Sequence, residues 1–141
     1  MTAPPFRLEG IDHVLLLVSD TARATAFYTD VLGCEVVSRM PEHGMIQFRA
    51  GRSTVDLVDV GGAEGAWARP EVRGGRNLDH LCLSLVRTDE QALRRHLADH
   101  GVAIVEEGTH AGFLGETLSL YVADPDGNRI ELKLPPTPDQ R

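Results

Sequence analysis

The sequence predicts an α+β fold built from two βαβββ modules. Two observations support this prediction. The run Ile11 to Val18 returns, with the same apolar pattern and the same Asp-His pair, as Leu78 to Leu85. Each copy is then followed by one helical pattern and three strand-like segments. The chain has 141 residues, of which 42% are hydrophobic, so it suits one domain with a real core.

In the first half, the helix that follows the repeat is predicted over Thr21 to Gly33. Its apolar residues Ala24, Phe27, Tyr28 and Val31 have the i, i+3, i+4, i+7 spacing of a helix face packed on a sheet. Three alternating or apolar runs then predict strands, at 35–38, 45–49 and 54–60.

In the second half, a helix is predicted over Thr88 to Gly101. Thr88 and Gln91 have the spacing of a capping box, and Leu93 with Leu97 supply the buried stripe. The strands predicted behind it are at 103–107, 117–122 and 129–134. Between the last two, Asp124-Pro125-Asp126-Gly127 has the composition of a type I turn, which predicts a hairpin.

These elements divide the chain into four parts. Module 1 covers about 8–60 and module 2 about 78–134. The segment 61–77 is rich in glycine and has no period of its own, so it is predicted to be a linker. The tail 135–141 contains three prolines, cannot continue a strand ladder and is expected to fray.

Composition excludes several classes of function. The net charge is −7 and no basic block is present, which disfavours nucleic-acid binding. No apolar run is long enough to cross a bilayer and no secretory leader is apparent, so we expect no membrane partner and a cytoplasmic protein. Cys34 and Cys82 do not form a Cys-x-x-Cys pair, so any metal site must use histidine and carboxylate ligands.

Four residues stand out as candidates for chemistry. His13 and His80 occupy the same place in the two repeats, and Asp56 and Glu131 lie inside the last strand of each half, between apolar neighbours. Side chains alternate across a strand, so the histidines are expected on the face opposite the helices, with Cys82 beside His80. A buried carboxylate is costly unless it is neutralised.

Two imidazoles with one or two carboxylates suit one divalent ion of zinc, nickel, iron or manganese, with substrate or water completing its coordination. A single histidine on a strand is more often a hydrogen-bonded core residue, and a single carboxylate often marks a sheet edge. The occurrence of both types at equivalent positions in both halves favours the metal interpretation.

The paired modules, the two histidines and the run from Asp124 to Leu132 (DPDGNRIEL) resemble the vicinal oxygen chelate superfamily, which includes glyoxalase I. The resemblance implies that the two modules form a cup-shaped mixed sheet around a central cavity. It also implies metal ligation by His13, His80 and Glu131 and a homodimer that binds a small-molecule substrate, with the ligands joined either within one chain or across the interface. Asp56 falls where glyoxalase I-like enzymes have a glutamate ligand, one methylene longer, so the resemblance implies Asp56 as a fourth ligand that binds the ion directly or through water.

The leading interpretation is a metal-dependent lyase or isomerase of the glyoxalase type. In that case the metal would polarise vicinal oxygens of the substrate while Glu131 or Asp56 moves a proton. Tyr121 is the third candidate catalytic residue, and Leu15, Met45, Trp67 and Phe113 are candidates with it for the walls of the cavity.

Three alternatives remain open. The run from Tyr121 to Glu131 also resembles part of an extradiol-dioxygenase signature, although the spacing from His110 to Tyr121 is too long for it. A thiol transferase of the fosfomycin-resistance type needs basic residues for a phosphonate, and only Lys133 and Arg141 follow Glu131. A drug-binding protein like those that confer bleomycin resistance would need no metal ligands.

Overall fold

The computed structural model describes residues 10–69, 78–86 and 88–138. It contains eight strands and two α-helices in the predicted order. The strands are β1 His13–Val18, β2 Glu35–Met40, β3 Met45–Ala50, β4 Ser53–Asp59, β5 Leu81–Ser84, β6 Glu106–His110, β7 Thr117–Ala123 and β8 Arg129–Lys133. The helices are α1 Thr21–Ala26, which continues as a π-helical turn Phe27–Val31, and α2 Glu90–Asp99; short 3₁₀ turns lie at Pro41–His43 and Ala66–Ala68.

The strands form two four-stranded mixed sheets with the same topology. Sheet A has the order β1-β4-β3-β2 and sheet B the order β5-β8-β7-β6. In both, the first strand of the module pairs in parallel with the last, and the remaining pairs are antiparallel. This equivalence confirms the α+β class with two βαβββ modules. It also makes β1 and β5, which begin beside the two histidines, edge strands of their sheets.

One hydrophobic core is shared by both modules. It combines side chains from one face of each sheet with the predicted helix stripe, where Ala24 and Tyr28 are fully buried and Phe27 nearly so. Tyr28 stacks on Phe48, with ring centroids 5.6 Å apart. Because each sheet turns one face towards this core, the opposite face of each is left for a site.

Tyr28 also ties the two modules together through a polar contact. Its hydroxyl donates to Asp124 Oδ2 at 3.0 Å, and the same carboxylate accepts from the backbone N–H groups of Asp126 and Asn128 and from the Asn128 side chain, at 2.8–2.9 Å. Gly127 closes the predicted turn with a 3.0 Å bond from its N–H to the Asp124 carbonyl. The Asp-Pro-Asp-Gly run therefore has a structural role in joining the modules.

Two local predictions are wrong. Strand β6 begins three residues later than expected, because Val102 and Ile104 pack against the core before the chain joins β7, so the ladder forms from the more polar residues that follow. An edge strand tolerates such polar residues. Helix α2 is capped by Asp89, which accepts from the N–H groups of Gln91 and Ala92, whereas the Thr88 hydroxyl donates to the Val86 carbonyl.

The segment predicted as a linker lies only partly within the described residues, because 70–77 are outside them, as is the end of the predicted tail, 139–141. None of the helices in the described part of the chain has the length and apolar character needed to span a bilayer.

Candidate functional site

Each sheet has a core face, turned to the shared core, and a site face, which carries the candidate residues. The strand register determines which side chains are neighbours on the site face. In sheet B, Cys82, Glu131 and Tyr121 form one row across β5, β8 and β7, and Ser84, Lys133 and Ser119 form the next. In sheet A, Leu15, Asp56 and Gln47 form the corresponding row across β1, β4 and β3.

Two of the predicted site residues, His80 and Glu131, lie in direct contact. Nε2 of His80 lies 3.0 Å from Oε2 of Glu131, and Nδ1 lies 2.7 Å from the carboxylate of Asp79. The other carboxylate oxygen of Glu131 accepts a 2.6 Å hydrogen bond from the buried Ser119 hydroxyl. Both groups are thus fixed in orientation, with Asp79 holding the imidazole from behind.

Hydrogen bonds keep Glu131 ionised although it is only 4% exposed. Burial alone would raise the pKa of Glu131, but hydrogen bonds from Ser119, Tyr121 and Cys82, together with the charge on His80, outweigh it and hold that pKa below its usual value. Partial desolvation of the thiol and the neighbouring Glu131 charge in turn raise the pKa of Cys82 to about 11, so the thiol stays protonated and is a poor nucleophile.

Tyr121 lies between two histidines on the site face of sheet B. Its ring makes edge contacts with His80, at 5.5 Å between centroids, and with His110, at 5.7 Å, while the Arg129 guanidinium lies 4.6 Å from the ring centroid. Burial and the Glu131 charge raise the pKa of Tyr121. The β6–β7 register places His110 and Tyr121 on the same face, and the His110 ring lies over Gly108 between their positions, which brings the two rings together.

His13 repeats the arrangement of His80. Nδ1 of His13 lies 2.6 Å from the carboxylate of Asp12, and the hydrogen bond to Asp12, followed by the Asp56 charge, raises the pKa of His13. Asp56 is 2% exposed, and each of its carboxylate oxygens accepts one 2.9 Å hydrogen bond, from Gln47 and from Thr54. Among the described residues, no hydrogen bond or ion pair joins this pair to a predicted site residue of sheet B.

The four predicted ligands therefore occupy two half-sites, His80 with Glu131 on sheet B and His13 with Asp56 on sheet A. In the part of the chain that the structure describes, no strand of one sheet pairs with a strand of the other. Across residues 10–69, 78–86 and 88–138, no group of three or more histidine, cysteine, aspartate or glutamate side chains is close enough to hold a metal ion. A complete set of ligands requires that the two half-sites be brought together.

The residues present nevertheless fit a divalent metal. In both half-sites a preceding aspartate holds Nδ1 of the histidine, which leaves Nε2 for a ligand; metal-binding histidines in proteins are commonly supported in this way. Two ligand atoms at right angles and about 2.1 Å from one ion lie about 3.0 Å apart, which matches the separation of His80 Nε2 and Glu131 Oε2.

The supporting residues Asp12, Asp79 and Ser119 were missed by the sequence interpretation. The signal for the two aspartates was present, because the repeat contains the pair Asp-His in both halves and not histidine alone. Ser119 had no such signal, since its contact with Glu131 depends on the register between β7 and β8.

Residues 10–132 match the family model of the Glyoxalase/Bleomycin resistance protein/Dioxygenase superfamily. The chain belongs to this superfamily. It is 32% identical to a lactoylglutathione lyase of Salmonella typhimurium, over 85% of this chain and 88% of that protein. It is 29% identical to virulence protein STM3117 of the same organism, over 89% of this chain and 83% of that protein.

A solved structure agrees with the fold. The integron cassette protein VCH_CASS1 from the mobile metagenome of V. cholerae superposes with a TM-score of 0.72 at 30% identity, covering 92% of this chain and 97% of that one. The predicted resemblance is confirmed.

Proposed function

We propose that this chain is a divalent-metal-dependent lyase or isomerase that acts on a small substrate with vicinal oxygens. The proposal is carried by the His80–Glu131 contact of 3.0 Å, with each predicted histidine ligand held by its own aspartate. The similarity to a lactoylglutathione lyase supports the reaction class. The metal, of zinc, nickel, iron or manganese, would stabilise negative charge that develops on the substrate oxygens.

The two carboxylates differ in the roles we assign to them. Glu131 stays ionised and touches His80, which suits a metal ligand. The side chain of Asp56 is one methylene shorter than that of Glu131. Hydrogen bonds from Thr54 and Gln47 hold its oxygens on the site face of sheet A. Asp56 retains lone pairs that can accept a proton, so we assign it as the general base. Tyr121 lies opposite Glu131 in the same row of β7 and β8, so we assign it to position that ligand.

We propose a homodimer in which each complete site combines the two half-sites of different protomers. Each histidine lies at or just before an edge strand, so β1 of one protomer can lie beside β5 of its partner. The region around these strands exposes apolar side chains, with Ile11 70%, Leu78 47% and Leu15 36% exposed. A partner that covered them would remove this surface from water.

A comparison of Asp56→Asn with Glu131→Gln separates the two roles. Asp56→Asn is expected to keep the metal and to lower kcat about 100-fold, because removal of a general base costs at least this much. Glu131→Gln is expected to lose metal and activity together. Metal content by elemental analysis and steady-state kinetics provide the measurements. Loss of metal in Asp56→Asn would contradict the assigned base and make Asp56 a ligand.

Mixing two inactive variants tests the shared site. In a homodimer of either variant, His13→Ala or His80→Ala, both sites lack a histidine ligand. If the half-sites come from different protomers, a mixed dimer of the two variants contains one site with both histidines intact. After random exchange, about a quarter of wild-type activity is expected to return. Mixing His80→Ala with Glu131→Gln is the control and should restore nothing, because both residues lie in the same half-site. Equal results for the two mixtures would exclude a shared site.

An extradiol dioxygenase is the second candidate function. It is favoured by the placement of His110 against Tyr121 beside His80, which the sequence spacing had counted against. Assays of the metal-loaded protein with a hemithioacetal and, under oxygen with ferrous iron, with a catechol distinguish the two reactions. Turnover of the hemithioacetal alone supports the lyase. Ring cleavage alone supports the dioxygenase instead. If the protein binds these compounds but turns over neither, it is a ligand-binding protein.

A further inference from the structure

The sequence contains one lysine, Lys133, and its side chain is buried on the site face of sheet B. All other basic residues among the 14 Lys and Arg are arginines. Lys133 is only 5% exposed. It lies two residues beyond Glu131 on the same strand, in the row that also contains Ser84 and Ser119. A lysine is rarely buried to this extent unless its charge has a function or a partner.

The partners of Lys133 within the described residues are neutral. Nζ donates to the His110 carbonyl and, at 3.5 Å, to the Thr117 carbonyl. No carboxylate of the described ranges lies within ion-pair distance of it. An ammonium group has three N–H donors, and its second bond here is long. The buried positive charge therefore has no anionic partner among the described residues.

Two further polar atoms beside Lys133 have no partner in the described part of the chain. They are the hydroxyl of Thr117, which is 3% exposed, and Nε2 of His110. These residues face each other across β6 and β7, and their carbonyls are the ones that hold Lys133. The His110 ring lies over Gly108, where a side chain would come within 3.0 Å of Nε2. Buried polar atoms without partners are uncommon and mark places where a ligand can bind.

We infer that Lys133, Thr117 and His110 form a subsite for the carboxylate of the substrate. The ammonium, the hydroxyl and the imidazole each supply a hydrogen-bond donor, and an acceptor-rich anion would use all three. The face already carries the negative charge of Glu131, whereas Glu106 is paired with Arg129, so a singly charged carboxylate fits better beside Glu131 than a doubly charged phosphate. The substrate would enter over Cys82 and Ser84, which are exposed.

The position of the subsite limits the shape of the substrate. Lys133 and Glu131 are alternate residues of one strand, so their backbones lie roughly 7 Å apart. A substrate whose vicinal oxygens reach His80 and Glu131 would carry its carboxylate at about this distance from them. This spacing rests on the proposed function, whereas the carboxylate subsite itself depends on sheet B alone.

Lysine-selective isotope labelling tests the subsite directly, because the single lysine gives a single side-chain signal. In metal-free protein, benzoate is expected to shift the Lys133 NMR signal in a saturable way, while neutral benzamide leaves it unchanged. Thr117→Val removes the hydroxyl with little change of shape and should weaken benzoate binding about 5-fold. Benzoate that leaves the Lys133 signal unmoved overturns the inference, whether or not the protein binds metal.

The metal-loaded protein then tests the spacing. We expect 3,4-dihydroxybenzoate to bind about 10-fold more tightly than 3,4-dihydroxybenzamide, because only the former offers a carboxylate opposite its vicinal oxygens. Lys133→Met should abolish this preference and keep its metal, whereas Arg95→Met, which removes one exposed charge on α2, should preserve it. A preference that survives in Lys133→Met overturns the role of Lys133. If the wild-type protein binds benzoate but no metal, the proposed function is contradicted and the carboxylate subsite is still supported.

Discussion

Replacement of His80 by alanine is expected to reduce the bound metal to below about a tenth of the wild-type amount and to abolish turnover. The imidazole contacts Glu131 at 3.0 Å and is fixed by Asp79 on its other side, so its removal leaves Glu131 without the neighbouring ligand atom. Elemental analysis of protein reconstituted after chelation, together with activity, measures the effect. Asp79→Asn should give a smaller loss, about 10-fold in metal affinity, because it acts through His80.

His43→Ala is the matched control. This exposed histidine lies in the 3₁₀ turn before β3, and its backbone carbonyl, which the substitution retains, accepts a hydrogen bond from the Trp67 indole N–H. It should retain metal and activity. If His80→Ala held as much metal as the wild type, the metal site would have to be abandoned.

Replacement of Asp124 by alanine is expected to lower the free energy of unfolding by about 3 kcal/mol, because a buried carboxylate that serves several donors cannot be removed without leaving them unpaired. The carboxylate accepts four hydrogen bonds, one of them from Tyr28 of the other module. Denaturant unfolding at constant slope measures the loss. Tyr28→Phe removes one of the four donors and should cost about 1 kcal/mol.

Asp126→Ala provides the comparison within the same turn. Its exposed carboxylate also joins the modules, by accepting from the N–H and the hydroxyl of Ser19, at 2.9 and 2.5 Å. Because water can replace an exposed acceptor, its loss should cost less than about 1 kcal/mol. Equal destabilisation by the two variants would show that the turn acts through its backbone and not through the buried carboxylate.

The sequence was sufficient to predict the class and order of the elements, and it also named the candidate residues that the structure places in two half-sites. The reason is the duplication: residues at equivalent positions of two repeats are subject to the same register, so His13 with His80 and Asp56 with Glu131 could be paired before any contact was known. The helix stripe around Tyr28 was equally predictable, since the spacing of apolar residues reflects the packing of a helix on a sheet.

Contacts between distant strands were less predictable. The spacing from His110 to Tyr121 counted against the extradiol-dioxygenase signature, yet the β6–β7 register places both side chains on one face, with ring centroids 5.7 Å apart. Lys133 looked like an ordinary basic residue near the end of the chain, but the register places it within the site face, next to the polar atoms of Thr117 and His110. The start of β6 was misplaced because apolar alternation does not distinguish a strand from a segment that packs on the core.

Local chemistry, meaning residue type and spacing, was enough to determine the two-module plan and the identity of the candidate ligands. Only the tertiary structure decided that these ligands lie on separate sheets, that Asp12 and Asp79 hold the histidines, and that the single lysine is buried beside unpaired donors. The physical reason is that periodicity records which face a side chain takes, whereas the pairing of faces depends on strand register and on how two sheets share one core.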